Sequence, residues 1–147
     1  MNKLRFAVCA GLTFAAFATA FAENVLWTGK GESAAWSDGG NWEGGVAPGL
    51  GDTAVIPEGA DVTACKADYT YMNADATKLA GIRIETNAWM TVSNLNANVT
   101  HSVPLSGPGG WRHVKTKSGG NYNVKMSTDN SAFTGEFFIK EGGFEVS

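Results

Sequence analysis

Gly81 to Ser93 reads GIRIETNAWMTVS, and Gly135 to Ser147 reads GEFFIKEGGFEVS. The two stretches align without a gap. Each is a short strand, a tight turn and a second short strand. Val92 follows Gly81 by eleven residues and Val146 follows Gly135 by the same interval, which Gly51 and Val62 repeat earlier in the chain. Short β units recurring in the same sense are the pattern of an architecture that stacks rungs. One unit alone has too few apolar residues for a core. Stacked on its neighbours, each strand finds hydrogen-bond partners above and below, and the inward side chains form a continuous column. The predicted fold is therefore all-β: a right-handed parallel β-helix, or solenoid. Turn spacing also admits an antiparallel β-sandwich with hairpins. The head-to-tail sense of the echoes favours the solenoid.

The glycine intervals are 30 residues, from Gly51 to Gly81, and 54, from Gly81 to Gly135. The second is about twice 27, so residues 94–125 are expected to supply an intervening rung. Leu95, Val99, Val103 and Leu105, then Tyr122, Val124 and Met126, alternate there at strand period. Thr53–Ile56 and Asp61–Ala64 read as an earlier strand pair, with Pro57-Glu58-Gly59 as the bend. Residues 66–76 are more polar and read as a surface loop, or as an edge strand at Tyr69-Thr70-Tyr71. Asn87-Ala88 suits a tight turn.

Towards the N-terminus, three segments are expected. Residues 1–22 form a signal peptide: Lys3 and Arg5 lead, an uncharged apolar run from Phe6 to Phe17 follows, and Ala20-Phe21-Ala22 offers a cleavage site after Ala22. The apolar run is too short for a comfortable membrane span. Residues 23–57 are a Trp/Gly-rich capping segment carrying Trp27, Trp36 and Trp42, and residues 58–147 are the solenoid repeats. A stack of rungs has two open ends, both liable to edge pairing. The tryptophans are expected to cover the first rung. At the other end, the Phe137-Phe138-Ile139 strand is expected to meet further repeats or another subunit.

The formal charge is −3, and removing the signal takes away two bases and no acid. Charges of both signs are scattered, without the basic patch that nucleic acid requires. No basic amphipathic stretch holds a membrane surface, so no direct membrane insertion is expected after cleavage. Cys65 would be the one cysteine left, which excludes an internal disulfide framework and reads as a small buried hydrophobe.

The sequence from Gly107 onward resembles a known family. Gly107-Pro-Gly-Gly-Trp111, Gly119-Gly120, Tyr122-Asn-Val124-Lys-Met126, Asn130-Ser-Ala-Phe133-Thr-Gly135 and Gly142-Gly143-Phe144-Glu-Val146 together are similar to the autotransporter-associated β-strand repeat. The opening Trp27-x-Gly29, Trp36-Ser37, Asn41-Trp42, Pro48 and Gly51-Asp52-x-Ala54 resembles the segment that often precedes such repeats in large bacterial surface proteins. The resemblance implies a right-handed parallel β-helix, secreted or at the cell surface, and adhesin-like in role. It supplies no catalytic residues. An outer-membrane barrel, and with it self-translocation, is not carried over.

Chemistry-bearing groups are few. Trp36 and Trp42, with Asp38 and Asn41 between them, could form a sugar platform: a ring stacks on a pyranose face while the polar pair binds hydroxyls. Packing of the same rings against the first rung is the competing reading. Trp89 and Trp111 fall in repeat strands and read as buried or as face decoration. Asp38, Asp52, Asp61 and Asp129 suit turns and lack the calcium-loop pattern. His101 and His113 stand apart from other metal-ligand types and read as solvated. Asn98-Val99-Thr100 is a sequon by chance in a chain whose signal looks bacterial. Acids do not pair at rung spacing, and no serine lies in a nucleophile elbow. The expectation is a non-enzymatic structural module without metal or cofactor. The alternatives are a carbohydrate-binding module for surface glycans, using the four residues named, and a polysaccharide-active enzyme.

Overall fold

The computed structural model describes residues 22–93, 97–114, 123–140 and 143–146. Residues 1–21 of the expected signal peptide, with Leu95, Gly119-Gly120, Tyr122, Gly142 and Ser147, lie outside the described residues.

Among the described residues, eleven strands and one α-helix follow one another: β1 (Asn24–Leu26), β2 (Thr53–Ile56), β3 (Asp61–Ala64), α1 (Lys66–Asn73), β4 (Gly81–Ile84), β5 (Trp89–Val92), β6 (Val99–His101), β7 (Leu105–Ser106), β8 (Gly110–His113), β9 (Asn123–Met126), β10 (Phe137–Ile139) and β11 (Gly143–Val146). They form three sheets, ordered β1-β2-β4-β7, β3-β5-β8-β10 and β6-β9-β11. Every pair of neighbouring strands is parallel. The antiparallel sandwich is thereby overturned for these strands: the two strands of each echo do not fold back on each other, but enter different sheets.

The chain visits the sheets in a constant order. It runs β2, β3, α1, then β4, β5, β6, then β7, β8, β9, then β10 and β11. In-register pairing aligns the inward residues into columns. Ala54, Ile82 and Leu105 make one in the first sheet. Val62, Met90, Trp111 and Phe137 make one in the second, beside Ala64, Val92 and His113. Val99 and Val124, then His101 and Met126, line the third. Most of these side chains are fully buried, so the columns are the core. Their period-two alternation explains the burial pattern of β3, exposed then buried twice over.

The corners require left-handed backbone. Gly59 has φ 74° and Asn87 has φ 58°. They occupy equivalent places, because Ile56 lies opposite Ile84 before them and Asp61 opposite Trp89 after them. Glycine and asparagine are the residues that tolerate this conformation best.

Several expectations are corrected. Residues 66–76 contain helix α1, not a loop or an edge strand. The helix starts at a reciprocal capping box between Cys65 and Asp68, with Cys65 N–H donating to Asp68 Oδ2 at 2.7 Å. Cys65 is therefore a half-exposed helix cap, not a buried hydrophobe. The echo alignment is also out of step. Val62 lies opposite Met90, and Ala64 opposite Val92, so the first unit is displaced by two residues. The last unit is displaced by a whole face: β10 pairs with β8 in the second sheet, where β5 stands, rather than with β4's sheet. His101 and His113 are buried, not solvated, at 0% and 2% exposure. Strand β1 pairs with β2, and β2 with β4, in the first sheet. No described helix is long and apolar enough to cross a membrane.

Candidate functional site

The four residues proposed as a sugar platform do come together. Asn41 lies in a short 3-10 turn, Gly39–Asn41, capped by Asp38. Asp38 Oδ1 accepts from Gly40 N–H at 3.0 Å, and Oδ2 accepts from the Ser33 N–H and hydroxyl, both at 2.9 Å. These bonds, the Ser33 backbone first, hold the Asp38 carboxyl below its ordinary value. The Asn41 amide is fully engaged: Oδ1 accepts from Gly31 N–H at 2.9 Å, and Nδ2 donates to Ser33 O at 2.8 Å and Ala35 O at 3.0 Å.

The rings, however, are closed off. Trp36 and Trp42 are 1% and 2% exposed. Their centroids are 4.8 Å apart, with Trp27 edge-on to Trp42 at 5.0 Å. Trp42 Nε1–H donates to Trp36 O at 2.8 Å. Both rings belong to the buried core cluster, so neither presents a face to a sugar. Trp36 N–H also donates to Asp68 Oδ1 at 2.8 Å, tying the cover to α1.

The outer face of the second sheet carries different chemistry. Asp61, Trp89 and Gly110 are neighbours across β3, β5 and β8, and Thr63, Thr91 and Arg112 form the next row. Arg112 pairs with Asp61, and its Nε–H donates to Thr91 Oγ1 at 2.7 Å. Thr91 Oγ1–H donates to Asp61 Oδ1 at 2.9 Å. The Arg112 guanidinium carbon lies 5.2 Å from the Trp89 ring centroid, at cation–π range. Beside Trp89, a groove of about 330 Å³ runs past Asn87, Gly109, Gly110, Thr134 and Glu136. Sequence reading left Trp89 as buried or as face decoration. What could have singled it out is its outward phase in β5, opposite to that of Met90.

Inside, His101 faces Tyr69 with ring centroids 5.4 Å apart. Burial lowers the His101 pKa to about 4, the backbone of Val103 opposing in part. Burial also lowers His113 and raises Tyr69. No group of three or more metal-ligating side chains converges among the described residues.

Strand β10, at the edge of the second sheet among the described residues, is apolar and exposed. Phe137, Phe138 and Ile139 are 43%, 51% and 38% exposed. Phe137 continues the column of Val62, Met90 and Trp111, packing 5.7 Å from Trp111 and 4.7 Å from Phe133.

Compared with known proteins, the chain matches no family model, and no significant match was found to a curated protein or to a solved structure. The resemblance to the autotransporter-associated repeat rests on the glycine and aromatic pattern alone.

Proposed function

We propose that this chain is an exported, non-enzymatic module of a bacterial surface or adhesin-like protein, a right-handed parallel β-helix acting as a stiff contact surface. Support for the solenoid comes from the constant sheet order and the in-register parallel columns. The right-handed sense follows the strong preference of parallel crossovers. Export is supported by the basic start, apolar run and small-residue cleavage pattern of residues 1–22. A structural role is favoured by how the acids are used. Asp38, Asp52, Asp68 and Asp129 each accept from nearby backbone N–H groups, and Asp61 holds Arg112. Carboxylates tied to their own backbone are poorly placed for acid–base work.

The observation that carries the reading is Phe137. It has the inward phase of a core residue, yet is 43% exposed on the outermost strand of its sheet. A further circuit of the same geometry, from another repeat or another copy, would bury it as Trp111 is buried. Sedimentation velocity over a concentration series tests this. The wild-type chain is expected to associate with rising concentration, and Phe138→Lys, a charged edge substitution, to suppress association. A wild-type protein that stays monomeric throughout would sink the role assigned to this end.

A further inference from the structure

The chain has five tryptophans. Trp36, Trp42 and Trp111 are buried, and Trp27 packs into the cover cluster. Trp89 differs: it stands on the outer face of the second sheet, half-exposed, as the wall of the groove already described. The groove's volume, about 330 Å³, falls within the range of small-ligand sites. Gly109 and Gly110 line it beside the ring, and its polar residues are Asn87, Glu136 and Thr134, the last with its hydroxyl donating to Gly107 O at 3.4 Å.

The ring is held in place before any ligand arrives. The Trp89 ring lies over Gly110, in the space that a Cβ there would take. Arg112 flanks the ring and is itself fixed by Asp61 and Thr91. A wall held this way loses little side-chain freedom on binding.

The lining also selects the ligand class. Its one ionised group is Glu136, and the neighbouring cation is already engaged by Asp61. A phosphate or carboxylate ligand would meet repulsion. A wholly apolar ligand would strip water from Asn87 and Glu136 without replacing their hydrogen bonds. A neutral ring bearing several hydroxyls satisfies both conditions, with its C–H face on the indole and its hydroxyls on the amide and carboxylate. We propose that the Trp89 groove is a binding site for a neutral saccharide of one or two rings. The proposal is independent of further circuits stacking on β10, so either can fail alone.

The test uses the exported chain labelled with nitrogen-15, titrated separately with cellobiose, galactose and N-acetylglucosamine. The indole N–H resonances are followed, and Trp89→Phe removes one of them to assign it. At least one sugar is expected to move the Trp89 signal saturably. Trp89→Ala is expected to weaken binding about tenfold, the scale of one lost aromatic contact. Glu136→Gln is expected to weaken it about threefold, the scale of one charge-assisted hydrogen bond replaced by a neutral one. Glu136 is exposed, and its backbone carbonyl makes the structural bond to Trp111 N–H, so the glutamine variant should fold even if Trp89→Ala does not. Three results would overturn the proposal: none of the sugars shifting Trp89, Glu136→Gln leaving the affinity unchanged, or shifts confined to the other indoles.

Discussion

The backbone N–H of Trp36 donates to Asp68 Oδ1 at 2.8 Å, across 32 residues of sequence. The other oxygen of the same carboxylate accepts from Cys65 N–H at 2.7 Å. One buried carboxylate thus caps α1 and pins the tryptophan cover above it.

Asp68→Ala is therefore expected to destabilise the protein by about 2–4 kcal/mol, combining a lost helix cap with a buried N–H left without an acceptor. Urea unfolding followed by tryptophan emission measures it. A loss under about 0.5 kcal/mol would mean that the cover is held by ring packing alone.

Acid should weaken the fold before the carboxylates titrate. His101 has its folded pKa lowered to about 4, and His113 is lowered too, both by burial. An unfolded histidine protonates near 6.5, so the unfolded state takes up protons first as pH falls. The stability contributed by the neutral buried imidazole is complete above pH 6.5 and is lost as pH drops towards 4. From His101 alone, about 2 kcal/mol should disappear between pH 7.5 and pH 5. Thermal unfolding across that range checks the slope, and His101→Leu should flatten it.

Two glycines with positive φ should respond differently to alanine. Gly59, at φ 74°, has open space where a Cβ would stand. Gly59→Ala should cost about 1 kcal/mol, the strain of a left-handed alanine. Gly107, at φ 91°, has the carbonyl of Ile84 in that place. Gly107→Ala should cost about 3 kcal/mol or more, because the backbone of the adjacent circuit must move. Equal losses in chemical denaturation would contradict the close approach at Gly107.

The Asp61–Arg112 pair should matter little to stability. Its side chains are 51% and 30% exposed, so solvent screens the attraction. Asp61→Asn is expected to cost about 0.5 kcal/mol, and less in high salt. A larger, salt-independent loss would mean that the ladder with Thr91 and Trp89 acts as one unit.

Some of this could be read from local pattern. Thr53–Ile56, Asp61–Ala64 and Gly81–Ile84 were legible as strands because β-branched and apolar residues alternate between turn residues. Asn87 was legible as a corner because few residues accept its backbone. Helix α1 was not. Its stretch, KADYTYMN, is poor in strong helix formers, and its cap uses cysteine in the place where serine or threonine usually signals a start. The platform failed for another reason: Trp36, Asp38, Asn41 and Trp42 do cluster, but proximity in sequence says nothing about which face of a ring is covered.

By itself, the sequence determined the strand-and-turn character of most of these segments, because that depends on residues a few positions apart. The partners were decided only by tertiary structure. Gly81 and Gly135 start look-alike units, yet β4 lies in the first sheet and β10 in the second. The physical reason is that a strand's face is set by the length of the whole circuit before it, not by its own composition. The same accumulation of register carries Trp89 onto the outer wall and leaves Phe137 at the open end of the core.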